Sequence, residues 1–197
     1  MAIVGVKSGA LEGLTADDIK RIESAVIQQA INVAVTKLKS DPTRLVVRDL
    51  LPDQDFLDQN TNKFKKREWR QPVSGAYNAE NTDVVVYKTG PSSKYEKKVL
   101  VIYGAKRVGT SLNQATGSLS AASITFAKGT SKTIAIIDLQ RLETDANLRV
   151  IFQNPIIYEP SEEAAISFYP KTGASGSSDN IMLLGKVVEP LGENVAG

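Results

Sequence analysis

Residues 151–170, IFQNPIIYEPSEEAAISFYP, hold two apolar runs, the first interrupted by Asn154-Pro155 and joined to the second through Pro-Ser-Glu-Glu. Ile, Phe and Tyr suit a pleated, half-buried surface, and Pro with Ser and acidic residues supplies turn chemistry. The stretch reads as β-structure. Short strands are expected at 148–152 and 156–158, followed after the turn by an antiparallel strand at 164–170. Hardly a polar group is placed to do chemistry, so the segment has the character of scaffold, with Pro155 marking an edge or a bulge.

The same pattern extends to both sides. Further strands are expected at 84–88, 98–105, 123–127, 133–139 and 181–188, with TGPSS, AKGTS and TGASGSSDN between them as turns. Seven or eight short strands without an intervening helical pattern predict a mainly β fold, an antiparallel β-sandwich of jelly-roll type, and argue against βαβ units. SITFA at 123–127 alternates apolar and polar, as a strand with one wet face should. KVLVIYG and TIAIIDL are apolar on both faces. Their outer sides are therefore expected to be covered, by an N-terminal helix or by another subunit.

That helix is written in LTADDIKRIESAVIQQAINVAVTKLKSDP. Thr15 precedes Asp18 by three residues, Lys37 and Lys39 stand at the far end, and Pro42 follows. These are capping and dipole signals, and they predict a long α-helix over 15–39, about 36 Å at 1.5 Å per residue. Its apolar positions are Ile19, Ile22, Val26, Ala30 and Val33, joined from the middle onward by Ile27, Ile31, Val35 and Leu38. A band that wide calls for more than one packing surface, so these nine residues are candidate contacts to a neighbouring subunit or a membrane surface. The rival expectation is that the helix packs on its own sandwich. Residues 41–82 are turn-rich and charged, a connector with one strand at 44–48. The expected organisation is a helical arm at 1–40, the connector at 41–82 and the β domain at 83–197.

The composition excludes several function classes. Without cysteine or histidine there can be no disulfide, thiolate or imidazole metal site, cysteine nucleophile or Ser-His-Asp triad. Glu162 and Glu163, with Glu159 nearby, stand on a turn and do not face one another as glycosidase carboxylates must. Asp138 closes a strand, and GAKRVGTS at 104–111 lacks the residue order of a phosphate loop. The expectation is no catalytic residue, no metal, no cofactor and no enzyme. The start MAIVGVKSGALEGL lacks the features of a secretory signal.

The net charge of +2 predicts no general attraction to nucleic acid. One stretch departs from this balance, because KFKKREWR at 63–70 sets five bases against one acid. Lys63, Lys65, Lys66, Arg67 and Arg70, interleaved with Phe64 and Trp69, are candidate contacts to an anionic surface, whether DNA or lipid headgroups. The plainer reading is a solvated loop with Trp69 packed into the domain edge.

With a helical arm, a polar connector and an eight-strand body lacking catalytic residues, the chain resembles the single jelly-roll capsid proteins of tailless icosahedral DNA viruses. The polyhedral viruses of hot-spring archaea are the nearest case. SITFAKGTSKTIAIIDLQRLE, IFQNPIIYEPSEEAAISFYP and DNIMLLGKVVEPLG carry the resemblance, over roughly residues 120–192. It implies a structural virion protein, made in the host cytoplasm, that self-assembles into homo-oligomeric capsomers and meets other capsid proteins. It also implies an N-terminal segment turned toward an internal membrane or DNA. An alternative from another class is a carbohydrate-binding jelly-roll module or virion receptor-binding protein reading sugars with Tyr77, Tyr87, Tyr95, Tyr103 or Trp69.

Overall fold

The computed structural model describes residues 10–11, 13–57, 69, 84–89, 97–108, 119–129, 132–140, 142, 149–171 and 180–192. A two-residue strand β1 (Ala10–Leu11) leads into α1 (Ala16–Leu38), followed by a 3-10 turn (Pro42–Arg44), β2 (Leu45–Asp49) and a single-turn α2 (Pro52–Asp55). The β body continues with β3 (Val84–Lys88), β4 (Val99–Arg107), β5 (Ala121–Lys128) and β6 (Lys132–Asp138). It ends with β7 (Arg149–Tyr158), β8 (Ala164–Pro170) and β9 (Ile181–Pro190). The helix limits follow their local chemistry. Thr15 caps the first turn in a reciprocal box with Asp18, and Lys39 ends the last turn in a left-handed conformation at φ 52°.

Two antiparallel sheets face each other. One has the order β1-β7-β4-β9-β2 and the other β3-β8-β5-β6. Their inward side chains form the main core, which runs from Leu100, Ile102 and Phe152 on the first sheet to Ile124, Phe126 and Phe168 on the second. Phe126 and Phe152 meet edge-to-face across the gap, ring centroids 5.5 Å apart. Close strand approach is fixed by Gly185, where an added Cβ would stand 2.6 Å from the carbonyl oxygen of Val101.

A second apolar layer lies on the outer side of the first sheet. Val99, Val101 and Tyr103 of β4, Ile151 of β7 and Val188 of β9 are buried there under Val26, Ala30 and Ala34 of α1. This accounts for the two-sided apolar character of KVLVIYG, since β4 has the helix on one face and the main core on the other. The small Ala30 and Ala34 let the helix axis come close to the sheet.

Three expectations are corrected. The runs 148–152 and 156–158 form one strand, and the pairing with β4 slips between Ile102 and Gly104, where the partners jump from Ile156 to Ile151. Pro155 sits in that irregularity, so an N–H that could not be donated is not called upon. The strands of IFQNPIIYEPSEEAAISFYP do not pair with each other, because β7 belongs to the first sheet and β8 to the second. TIAIIDL is not covered on both sides, since β6 leaves Ile136 exposed at 37% while Ala135 and Ile137 point into the core.

Candidate functional site

The helix is where the sequence placed its candidate contacts, and the structure divides them. Val26 and Ala30 are buried against the chain's own sheet, so for these two a subunit or membrane contact gives way to intramolecular packing. Ile19, Ile22, Ile31, Val33 and Leu38 are half-buried against the same layer, and Ile27 and Val35 are half-buried on the flank. Ala34, which is not among the nine candidate contacts, is wholly buried in the same layer.

Ion pairs fasten the helix toward both ends. Lys186 Nζ on β9 lies 2.6 Å from Glu23 Oε1 of α1 and 2.7 Å from Asp49 Oδ1 of β2, so one ammonium joins three elements. Partial burial works to lower the pKa of Lys186, but the two carboxylates outweigh it and raise it above the usual lysine range. Tyr103 lies beside this cluster, its phenol pushed up to about 12 by burial and by the nearby Glu23 carboxylate. Toward the C-terminal end Lys37 Nζ stands 2.7 Å from Glu159 Oε2. That hydrogen bond holds the Glu159 carboxyl below its ordinary range.

A second charged cluster closes the rim of the main core. Arg48 of β2 donates Nη1 and Nη2 to the two carboxylate oxygens of Asp55 at 2.8 and 2.7 Å, and Nε to Glu189 Oε1 at 2.6 Å. Glu189 also lies 3.3 Å from Lys98 Nζ, and Asp55 accepts the backbone N–H of Leu51 at 2.8 Å. Asp55 and Glu189 are 0% and 1% exposed. Burial disfavours the charge on Arg48, yet the bonds to Asp55 and Glu189 raise its pKa further above the arginine range. Among the described residues two cations thus meet two anions, in a bidentate geometry that joins β2, α2 and β9. Sequence reasoning missed this cluster. The available signal was Arg48 standing beside the apolar Val46 and Val47 with a Pro52-initiated turn just beyond it.

Both clusters join separate elements of the fold. Among the described residues no group of three potential metal-ligating side chains comes together. No described helix is long and apolar enough to cross a membrane. Tyr87 is fully buried and Tyr103 lies under the helix, so neither can read a sugar. Trp69 is half-buried at the core edge, with Phe56 6.3 Å and Tyr87 5.5 Å from it, centroid to centroid. Lys63, Lys65, Lys66, Arg67 and Arg70, like Tyr77 and Tyr95, lie outside the described residues. Compared with models of protein families and with curated proteins, the chain matches none.

Proposed function

We propose that the sandwich is a jelly roll and that the chain is a structural subunit of a virion shell, acting by self-association and not by catalysis. The observation that carries this reading is the set of strand pairings. β2 pairs with β9, β3 with β8, β4 with β7 and β5 with β6. This is the order produced when one long eight-strand ribbon, first strand against last, is folded over into two sheets. Jelly rolls also serve as ligand-binding modules, so topology alone does not select a shell. The shell reading is supported by what the interior holds. Arg48, Asp55 and Glu189 are bonded to one another where water barely reaches the two carboxylates. Two of the aromatic side chains that a sugar would need, Tyr87 and Tyr103, are buried.

In this account the helix is part of the subunit body, a rigid cover on one sheet, so assembly contacts fall to its solvent side and to loops and strand edges. Sedimentation velocity over a concentration series tests the proposal. The expected result is growth into large discrete species. A monomer at every concentration that binds a soluble glycan would favour the ligand-binding reading instead.

A further inference from the structure

We infer that Lys106 and Arg149 form a binding site for a doubly charged phosphate group, either free phosphate or the terminal phosphate of a monoester. The inference goes beyond the shell reading and does not depend on it. The two residues are direct partners in the pairing of β4 with β7. Their neighbours Ala105 and Val150 belong to the main core, while Ile151 lies in the outer layer. Alternation along the strands therefore puts Lys106 and Arg149 side by side on the outer face of the first sheet, and Arg107 on the opposite face. Like charges set directly opposite each other in an antiparallel pair are unfavourable.

This repulsion is not offset among the described residues. Lys106 is exposed and Arg149 half-buried, and neither side chain has a hydrogen bond or an ion pair there. The other like-charged pair in the described strands, Lys128 with Lys132, differs in this respect, because Glu162 Oε2 stands 2.6 Å from Lys128 Nζ. Every described carboxylate of the first sheet and of α1 is engaged elsewhere. Glu23 and Asp49 are held by Lys186, Glu189 by Arg48 and Lys98, and Asp18 by Thr15, while Asp17 lies 4.0 Å from Lys20. The remaining charges on α1, those of Lys20, Arg21 and Lys37, are positive.

The chemistry of the pair selects the ligand. At neutral pH a phosphoryl group carries about −1.5 to −2 charges and three acceptor oxygens. The arginine fork bonds two such oxygens in one plane, and the lysine ammonium adds a compact point charge on a flexible stem. A dianion between the two cations turns their repulsion into a shared attraction. A phosphodiester, singly charged, leaves half of that repulsion in place.

The test titrates the full chain with inorganic phosphate at low ionic strength, followed by calorimetry and by the amide shifts of β4 and β7. A single saturable site is expected. Arg149→Gln and Lys106→Gln should each weaken it about tenfold or more, whereas Lys132→Gln should leave it unchanged. Without phosphate the first two variants should melt no lower than the parent, because each removes a like-charge opposition. Phosphate should raise the melting temperature of the parent more than that of either variant. Absence of saturation, equal weakening by Lys132→Gln, or dimethyl phosphate bound as tightly as inorganic phosphate overturns the inference. So does a lower melting temperature for both Arg149→Gln and Lys106→Gln in the absence of phosphate.

Discussion

Replacing Arg48 with Met should remove a large part of the protein's stability. The guanidinium makes three charge-assisted bonds of 2.6–2.8 Å to two carboxylates that water barely reaches. Methionine fills similar volume but leaves Asp55 with the Leu51 N–H and Glu189 with Lys98 at 3.3 Å. Among the described residues the cluster then holds two buried anions and one cation. Breaking a buried pair from one side costs about 3–5 kcal/mol, because the remaining charge stays desolvated. Domains of this kind are stable by roughly 5–15 kcal/mol in total. In urea, with a slope of about 2 kcal/mol per molar, the midpoint should fall by roughly 1.5–2.5 M. Arg48→Lys keeps the charge but not the planar fork and should lie between the variant and the parent. A midpoint change of less than about 0.5 M at unchanged slope would refute the reasoning, since it would mean that both carboxylates are hydrated when the arginine is gone.

Deleting residues 1–40 uncovers Val99, Val101, Tyr103, Ile151 and Val188. At about 1.5–3 kcal/mol for each buried side chain this is on the order of the whole stability, so the truncated chain should be insoluble or unfolded by circular dichroism. Tyr158→Phe should be neutral or stabilising by up to about 1 kcal/mol in thermal melts, because the Tyr158 hydroxyl is buried with no hydrogen-bond partner among the described residues. Thr15→Ala should cost about 1 kcal/mol through loss of the cap. Hydrogen bonds from the Thr15 side chain and backbone lower the Asp18 pKa, so that contribution is complete above the ordinary carboxylate pKa and fades as pH falls through the lowered value. Acid titration should therefore destabilise the parent more than Thr15→Ala.

Much of the fold was legible because its signals are local. The capping box at Thr15 and Asp18 placed the helix start to within one residue, and every β run predicted after residue 83 corresponds to part of a strand. Sheet membership was not legible. The turn Pro-Ser-Glu-Glu looks the same whether the chain reverses within one sheet or crosses to the other, and IFQNPIIYEPSEEAAISFYP does the latter. The wide apolar band of the helix is compatible both with outside partners and with the chain's own sandwich, and no local pattern decides between them. Its centre meets Val99, Val101 and Tyr103, residues far away in sequence whose outward apolar faces required a cover. The clusters around Arg48 and Lys186 were hidden for the same reason, since they join positions separated by as many as 163 residues, from Glu23 to Lys186. Burial of Asp55 and Glu189 depends on how the strands are paired, which no local pattern encodes.

The proposal that this chain builds a shell from jelly-roll subunits is tested most directly by electron microscopy of the purified protein, concentrated at neutral pH. The account predicts closed particles of uniform diameter whose image averages show repeated β-sandwich subunits in symmetric capsomers. Dispersed single subunits at the highest soluble concentration, with no ordered particle under any salt condition, would contradict it.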